Sequence, residues 1–152
     1  MKCKGYYAWQ NACMFNASTS TASTTSGSNY SFGNSYNTAY TWDVNKFFIN
    51  VGVGTEEAKV SDTNLKEYFP SGTLSYSSVV GSKAFNSEGA LVCNLNVGIT
   101  NISTETIQIK EAGLFWKNSS DTTGRVLLAR QVFDEPIEVA PGESTYIRAR
   151  LI

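Results

Sequence analysis

Hydrophobic and polar residues alternate most regularly in residues 90–100. Hydrophobic side chains occupy the odd positions there, namely Leu91, Cys93, Leu95, Val97 and Ile99, and only Val92 breaks the pattern. Since successive side chains of a strand point to opposite faces, a period of two predicts a strand with one buried and one solvated face. Cys93 is then expected to be a small buried hydrophobic residue.

Shorter runs with strand character fill the rest of the second half of the chain. Further strands are predicted at residues 46–54, 73–80, 105–116, 126–133 and 144–152. In the last of these, Ile147 and Ala149 share one face, and Arg148 and Arg150 lie on the opposite face.

Turn and bulge signals separate these strands. The hydrophobic phase shifts through residues 111–113, which predicts a bulge at the glycine, and the polar residues 117–125 predict a hairpin loop. Pro136 is expected to end the strand before it. Residues 140–143, APGE, predict a type II turn, because Pro presets φ and Gly supplies a positive φ. Residues 61–63 are expected to cap a short helical turn.

The strand pattern predicts the fold class. No window supports a helix longer than about two turns, and short strands separated by turns are typical of two packed antiparallel sheets. We therefore predict an all-β protein with an antiparallel β-sandwich, Ig-like or jelly-roll-like, over residues 46–152. The pattern leaves the choice between these two topologies open.

Residues 1–45 differ in composition from the rest of the chain. No charged residue lies between Gly5 and Trp42, and Ser, Thr, Asn and Gly dominate residues 16–41. A flexible linker is one interpretation, but a linker seldom carries many aromatic residues. We predict an extended, partly β assembly arm that packs on neighbouring subunits. Its interface residues would be the aromatic ones: Tyr6, Tyr7, Trp9, Phe15, Tyr30, Phe32, Tyr36, Tyr40 and Trp42.

Length and charge restrict the partners. A chain of 152 residues fits one domain with an added arm. The formal net charge of -1, without a basic stripe, gives no electrostatic basis for binding nucleic acid.

No apolar run approaches a membrane span of about 18 residues, and the first residues do not resemble a secretory signal. We expect a protein made in a cytoplasm.

Few residues offer chemistry. The absence of histidine removes the commonest general base, the usual triads and most zinc sites. Cys3, Cys13 and Cys93 have no metal or redox spacing, so free thiols are expected, with a Cys3–Cys13 bridge as the alternative. Residues 52–54, GVG, lack the third glycine of a dinucleotide loop and are interpreted as a strand end. The predictions are no enzyme, no cofactor and no metal.

The acidic residues are interpreted as solvated loop residues. Glu56, Glu57 and Asp62 lie in one segment, and Asp134 and Glu135 lie near a turn. A calcium ion at Asp62 or at Asp121 is the alternative, although no EF-hand spacing is present.

Residues 50–152 resemble a widespread group of small phage virion proteins. The resemblance is carried by NVGVGT at 50–55, VSDTNL at 60–65, IKEAGLF at 109–115, LLARQVF at 127–133 and PIEVAPGES at 136–144. It implies a tail, fibre or head-accessory subunit that is made in the host bacterial cytoplasm and located in the virion, and it brings no catalytic residues.

Three functional hypotheses follow. The first is a phage structural protein that assembles with copies of itself, as a homotrimer, and with other virion proteins. The second is a module that recognises a host-surface glycan, with Trp116, Tyr76 and Tyr68 on an exposed face. The third is a hydrolase of cell-wall polymer, which needs two close carboxylates in a cleft.

Overall fold

A computed structural model describes residues 1–4, 6, 19–33, 44–85, 87–88, 91–117 and 125–151. A short 3₁₀ turn covers Val44–Lys46. The strands are β1 (Thr19–Ser23), β2 (Asn29–Gly33), β3 (Phe47–Gly52), β4 (Leu74–Tyr76), β5 (Val80–Phe85), β6 (Leu91–Asn101), β7 (Ile107–Trp116), β8 (Val126–Val139) and β9 (Ser144–Leu151).

The strands form two antiparallel sheets and a separate hairpin. The three-stranded sheet has the order β3-β7-β8, and β1 pairs only with β2. In the four-stranded sheet, β6 pairs with β4, β5 and β9. The β9 pairing overlaps the other two along β6, so β4 and β5 lie on one side of β6 and β9 lies on the other. The predicted all-β antiparallel sandwich is confirmed.

The main core lies between the two sheets. The strand predicted from residues 90–100 is β6, and its inward side chains Leu95, Val97 and Ile99 are at most 2% exposed. Leu114 of β7 and Ile147 of β9 belong to the same core. The alternation in the sequence therefore marks the buried face, as expected for a strand covered on one side.

A second, smaller core covers the outer face of the three-stranded sheet. Phe115 of β7 and Leu127 of β8 pack there against Cys3 and Leu65, which come from outside the sheet. Leu65 belongs to residues 53–73, the segment between β3 and β4, which we call the β3–β4 loop. This loop is thus held as a third layer on the sandwich.

The expectation that Pro136 ends its strand is wrong. β8 continues through Pro136, and residues 133–136 bulge from the pairing with β7 because only Lys110 lies opposite them. A proline is tolerated at a bulge, since no ladder hydrogen bond is required of its nitrogen.

Three further sequence predictions are corrected and one is confirmed. Residues 61–63 cap no helix, and the strand predicted at 73–80 is divided between β4 and β5. The bulge predicted at the glycine of residues 111–113 is wrong, because Gly113 pairs regularly with Arg130 and the register shift lies between Ile109 and Glu111. In the predicted turn, Gly142 has a φ of 77° and the Glu143 N–H donates to the Ala140 carbonyl at 3.0 Å.

The start of the predicted arm packs on its own chain. The Met1 ammonium donates to the Arg130 carbonyl at 2.7 Å, and the Arg130 N–H donates back to the Met1 carbonyl at 2.9 Å. The Cys3 N–H donates to the Leu128 carbonyl at 2.8 Å. These residues extend the three-stranded sheet along the edge of β8, so strand addition by the arm begins within the subunit.

Candidate functional site

Arg130 is the centre of a buried ionic cluster on the outer face of the three-stranded sheet. Its side chain is 0% exposed. Nε donates to Glu111 Oε2 at 2.7 Å, and Nη1 donates to Asp62 Oδ2 at 3.0 Å. Nη2 and Nη1 donate to the carbonyls of Glu56 and Glu57 at 2.9 and 3.4 Å. One guanidinium thus joins β8, β7 and the β3–β4 loop, using the planar donor fork that suits buried pairs.

Glu111 of β7 binds the backbone of the β3–β4 loop. Its Oε1 accepts the N–H groups of Gly54, Lys66 and Glu67 at 3.2, 3.0 and 2.9 Å. The carboxylate is 0% exposed, so these charge-assisted bonds and the bond from Arg130 replace its hydration. The carboxylate therefore fixes both ends of the loop segment that crosses the sheet.

The two glycines of the GVG motif allow this close approach. A Cβ at Gly52 would lie 2.1 Å from the Glu67 carbonyl oxygen, and a Cβ at Gly54 would lie 2.4 Å from Glu111 Oε1. Both distances are shorter than any real contact, so only glycine fits without displacement. The motif therefore leaves room for the Glu111 carboxylate and for the β3–β4 loop where it crosses the sheet.

The expectation that Asp62 is a solvated loop residue is wrong. Its side chain is 3% exposed, accepts the Lys59 N–H at 2.8 Å and pairs with Lys66 Nζ at 3.1 Å in addition to Arg130. Burial by itself would raise the pKa of the Asp62 carboxyl. The hydrogen bonds from Lys59, Lys66 and Arg130 outweigh burial, and the pKa is lowered. The side chain is occupied by cationic partners, which compete with a calcium ion.

The ionic cluster unites four of the sequence motifs described above. Each segment contributes one member to it: Gly54 from 50–55, Asp62 from 60–65, Glu111 from 109–115 and Arg130 from 127–133. The sequence pattern did not predict that these segments meet in space. A signal was present, since a charged residue inside an apolar strand is seldom fully buried unless it is paired.

Cys3 is a buried free thiol, and Cys93 is buried in the main core, as expected. Burial next to the Asp62 carboxylate raises the pKa of the Cys3 thiol to about 11. A neutral thiol at this position packs as a small hydrophobic residue beside the ionic cluster. Cys13 lies outside the described residues.

The glycan hypothesis keeps two of its three residues. Trp116 is 3% exposed and lies in the main core, so its predicted exposure is wrong. Tyr68 and Tyr76 are 41% and 39% exposed and line one groove of about 240 Å³ together with Asn50 and Pro70. We call this the tyrosine groove.

One of the predicted arm interface residues, Tyr6, is buried within its own chain. It is 3% exposed in the main core of its own chain, with Lys2 Nζ 4.5 Å from its ring centre, and so offers a neighbour no surface in this chain. Tyr30 and Phe32 lie in β2. The remaining six lie outside the described residues: Tyr7, Trp9, Phe15, Tyr36, Tyr40 and Trp42. Asp121 also lies outside them.

The hydrolase hypothesis requires two carboxylates that face an open cleft. The buried pair of the described chain, Asp62 and Glu111, faces the Arg130 guanidinium instead. Within the described ranges, no group of three or more Cys, Asp or Glu side chains converges on a point where a metal ion could bind.

Comparison of the chain with protein-family models, curated proteins and solved structures finds no match. No helix in the described part of the chain has the length and apolar character needed to cross a bilayer.

Proposed function

We propose that this protein is a structural subunit of a bacteriophage particle, in its tail, a fibre or a head accessory, and that it acts by protein–protein assembly. The observation that carries the proposal is the ionic cluster. The sequence segments on which the resemblance to small phage virion proteins depends supply its members, so these motifs meet in one ionic constellation of this chain.

The physical role of the cluster supports an assembly function. Arg130 and Glu111 hold the β3–β4 loop against the sandwich through charge-assisted bonds, which keep a long irregular segment in one conformation. A preordered loop loses less conformational entropy when it meets a neighbouring subunit. The cluster therefore suits a protein whose loops form contacts in a larger particle.

Locating the chain in particles tests the proposal. Particles produced from the genome that encodes the chain would be purified by density gradient and analysed by quantitative mass spectrometry and by immunogold labelling. We expect several copies per particle and gold at one defined position. A chain found only in the soluble lysate, with particles free of it, would refute the proposal.

Glycan recognition is a second candidate, favoured by the tyrosine groove. Two half-exposed aromatic rings beside the amide of Asn50 match the apolar faces and hydroxyl groups of a neutral sugar. Glycan-array binding by the full chain tests it. Tyr76→Ala should abolish binding, whereas Ile102→Ala, at an exposed hydrophobic residue outside the groove, should not. Equal binding by the two variants would reject the groove as a glycan site.

A further inference from the structure

The outer face of the four-stranded sheet carries positive charge and exposed apolar groups. Tyr146 and Val80 are 75% and 68% exposed, the highest values among the large exposed hydrophobic residues of the described chain. The outward positions of β5, β6 and β9 include Arg148 and Arg150 and no acidic residue. Neither arginine forms an ion pair within the described residues. We call Tyr146, Arg148 and Arg150 the basic face.

The centre of this face also contains an unsatisfied acceptor. Asn96 Oδ1 is buried and has no hydrogen-bond partner. It lies in a depression of about 350 Å³ between Val80, Tyr146 and Arg148. A buried acceptor without a donor costs free energy, and a donor from a bound partner would recover it. A simpler explanation is that the two arginines only prevent the edge strand β9 from pairing with other chains. That explanation does not account for the exposed tyrosine and the unpaired acceptor beside them.

A complementary surface exists on the same chain. A depression of about 360 Å³ beside β8 is lined by Glu57 and Asp134, together with Met1 and Gln131. The Met1 ammonium there is hydrogen-bonded to the Arg130 carbonyl. Both acidic residues are exposed, and neither forms an ion pair within the described part of the chain. Glu135, also exposed, follows Asp134 directly. We call this the acidic depression.

We propose that the basic face binds the acidic depression of a second copy of this chain. Arg148 and Arg150 would meet Glu57 and Asp134, and Tyr146 would be the central apolar anchor, because Tyr and Arg dominate binding energy at interfaces. The opposite signs favour encounter and set the orientation. The inference rests on the proposed function, since it names the partner through which the subunit assembles.

Two charge-reversed full-length variants test the contact by sedimentation velocity. Arg148→Glu with Arg150→Glu reverses the basic face, and Glu57→Lys with Asp134→Lys reverses the acidic depression. Wild-type protein should be oligomeric, and its assembly should weaken with added salt. Each variant alone should be monomeric where the wild type is assembled, because both surfaces then carry the same sign. An equimolar mixture should assemble again, because each altered surface regains an opposite partner.

Control measurements separate lost contact from lost folding. Both variants should keep the wild-type circular dichroism and melting temperature, since the altered side chains are exposed. Glu105→Lys, an exposed acidic position outside the depression, should assemble like the wild type. Tyr146→Ala should raise the dissociation constant at least tenfold.

Three results would overturn the inference: a wild type that is monomeric at every concentration, variants that assemble like the wild type, or a mixture that stays monomeric. If the wild type is monomeric and binds an acidic polysaccharide through Arg148, the inference is also overturned, because the polysaccharide and not a second copy would then bind the basic face. The analysis of purified particles separates a failure of this contact from a failure of the proposed function. A monomeric chain that is present in virions refutes only the contact, and an oligomeric chain that is absent from virions refutes only the virion role.

Discussion

At the scale of single residues, Arg130 shows how one charge can organise a surface loop. It is fully buried, and its guanidinium is hydrogen-bonded to two carboxylates and two carbonyls. Removing one partner of a buried ion pair leaves the other charge uncompensated, which costs far more than losing an exposed pair.

We expect Arg130→Ala to lower the free energy of unfolding by about 3–5 kcal/mol, because Glu111 and Asp62 would remain buried without their cation. Urea unfolding followed by tryptophan fluorescence measures the change. Glu105→Ala is the control, and its exposed side chain should change the value by less than about 0.5 kcal/mol.

If Arg130→Ala does not fold, Asp62→Asn gives the same test in milder form. Its expected cost is about 1–3 kcal/mol, because the amide can accept from Arg130 but carries no charge. A cost equal to that of the Glu105→Ala control in both variants would mean that the cluster does not stabilise the fold.

At the scale of elements, the first residues of the chain act as a short edge strand beside β8. Cys3 is 0% exposed, and its Sγ lies 3.9 Å from the Lys59 carbonyl, next to the ionic cluster. The reactivity of this thiol therefore reports whether the edge strand stays attached.

We expect the Cys3 thiol to resist alkylation by iodoacetamide at pH 8 in the native protein. Burial keeps the thiol from the reagent, and its pKa of about 11 leaves almost no thiolate at that pH. Mass spectrometry of digested samples, labelled with and without urea, measures the protection. Native labelling of Cys3 as fast as in urea would show that the edge strand detaches readily.

At the scale of the whole molecule, the ionic cluster links stability to pH. The lowered pKa of Asp62 means that its charged form is favoured in the folded state. Its contribution is fully present above the unfolded pKa of about 3.9 and is lost as the pH falls through the lower folded value.

We therefore expect the stability difference between wild type and Asp62→Asn to be constant near neutral pH and to shrink below about pH 4. Thermal unfolding from pH 7 to pH 2 measures it. Glu105→Gln, at an exposed position outside the cluster, should show little such trend. A difference that grows as the pH falls would mean that the pKa of Asp62 is raised.

Local pattern was enough to predict the sandwich strands and the turn between β8 and β9. A strand covered on one side must alternate, so β6 and β9 were readable from residues 90–100 and 144–152. The turn at Gly142 was readable because its geometry depends only on neighbouring residues. The path of β8 through Pro136 could not be predicted from the sequence, since it depends on the register of β7 opposite the bulge.

The sequence by itself determined the class of fold, the strand faces and the neutral character of the arm, because these follow from side chains a few positions apart. Only the tertiary structure decided that Asp62 is buried, that Trp116 is covered and that Tyr6 belongs to its own core. Burial of a polar or aromatic side chain depends on what packs over it. For the ionic cluster, those partners come from segments separated by up to 74 residues along the chain.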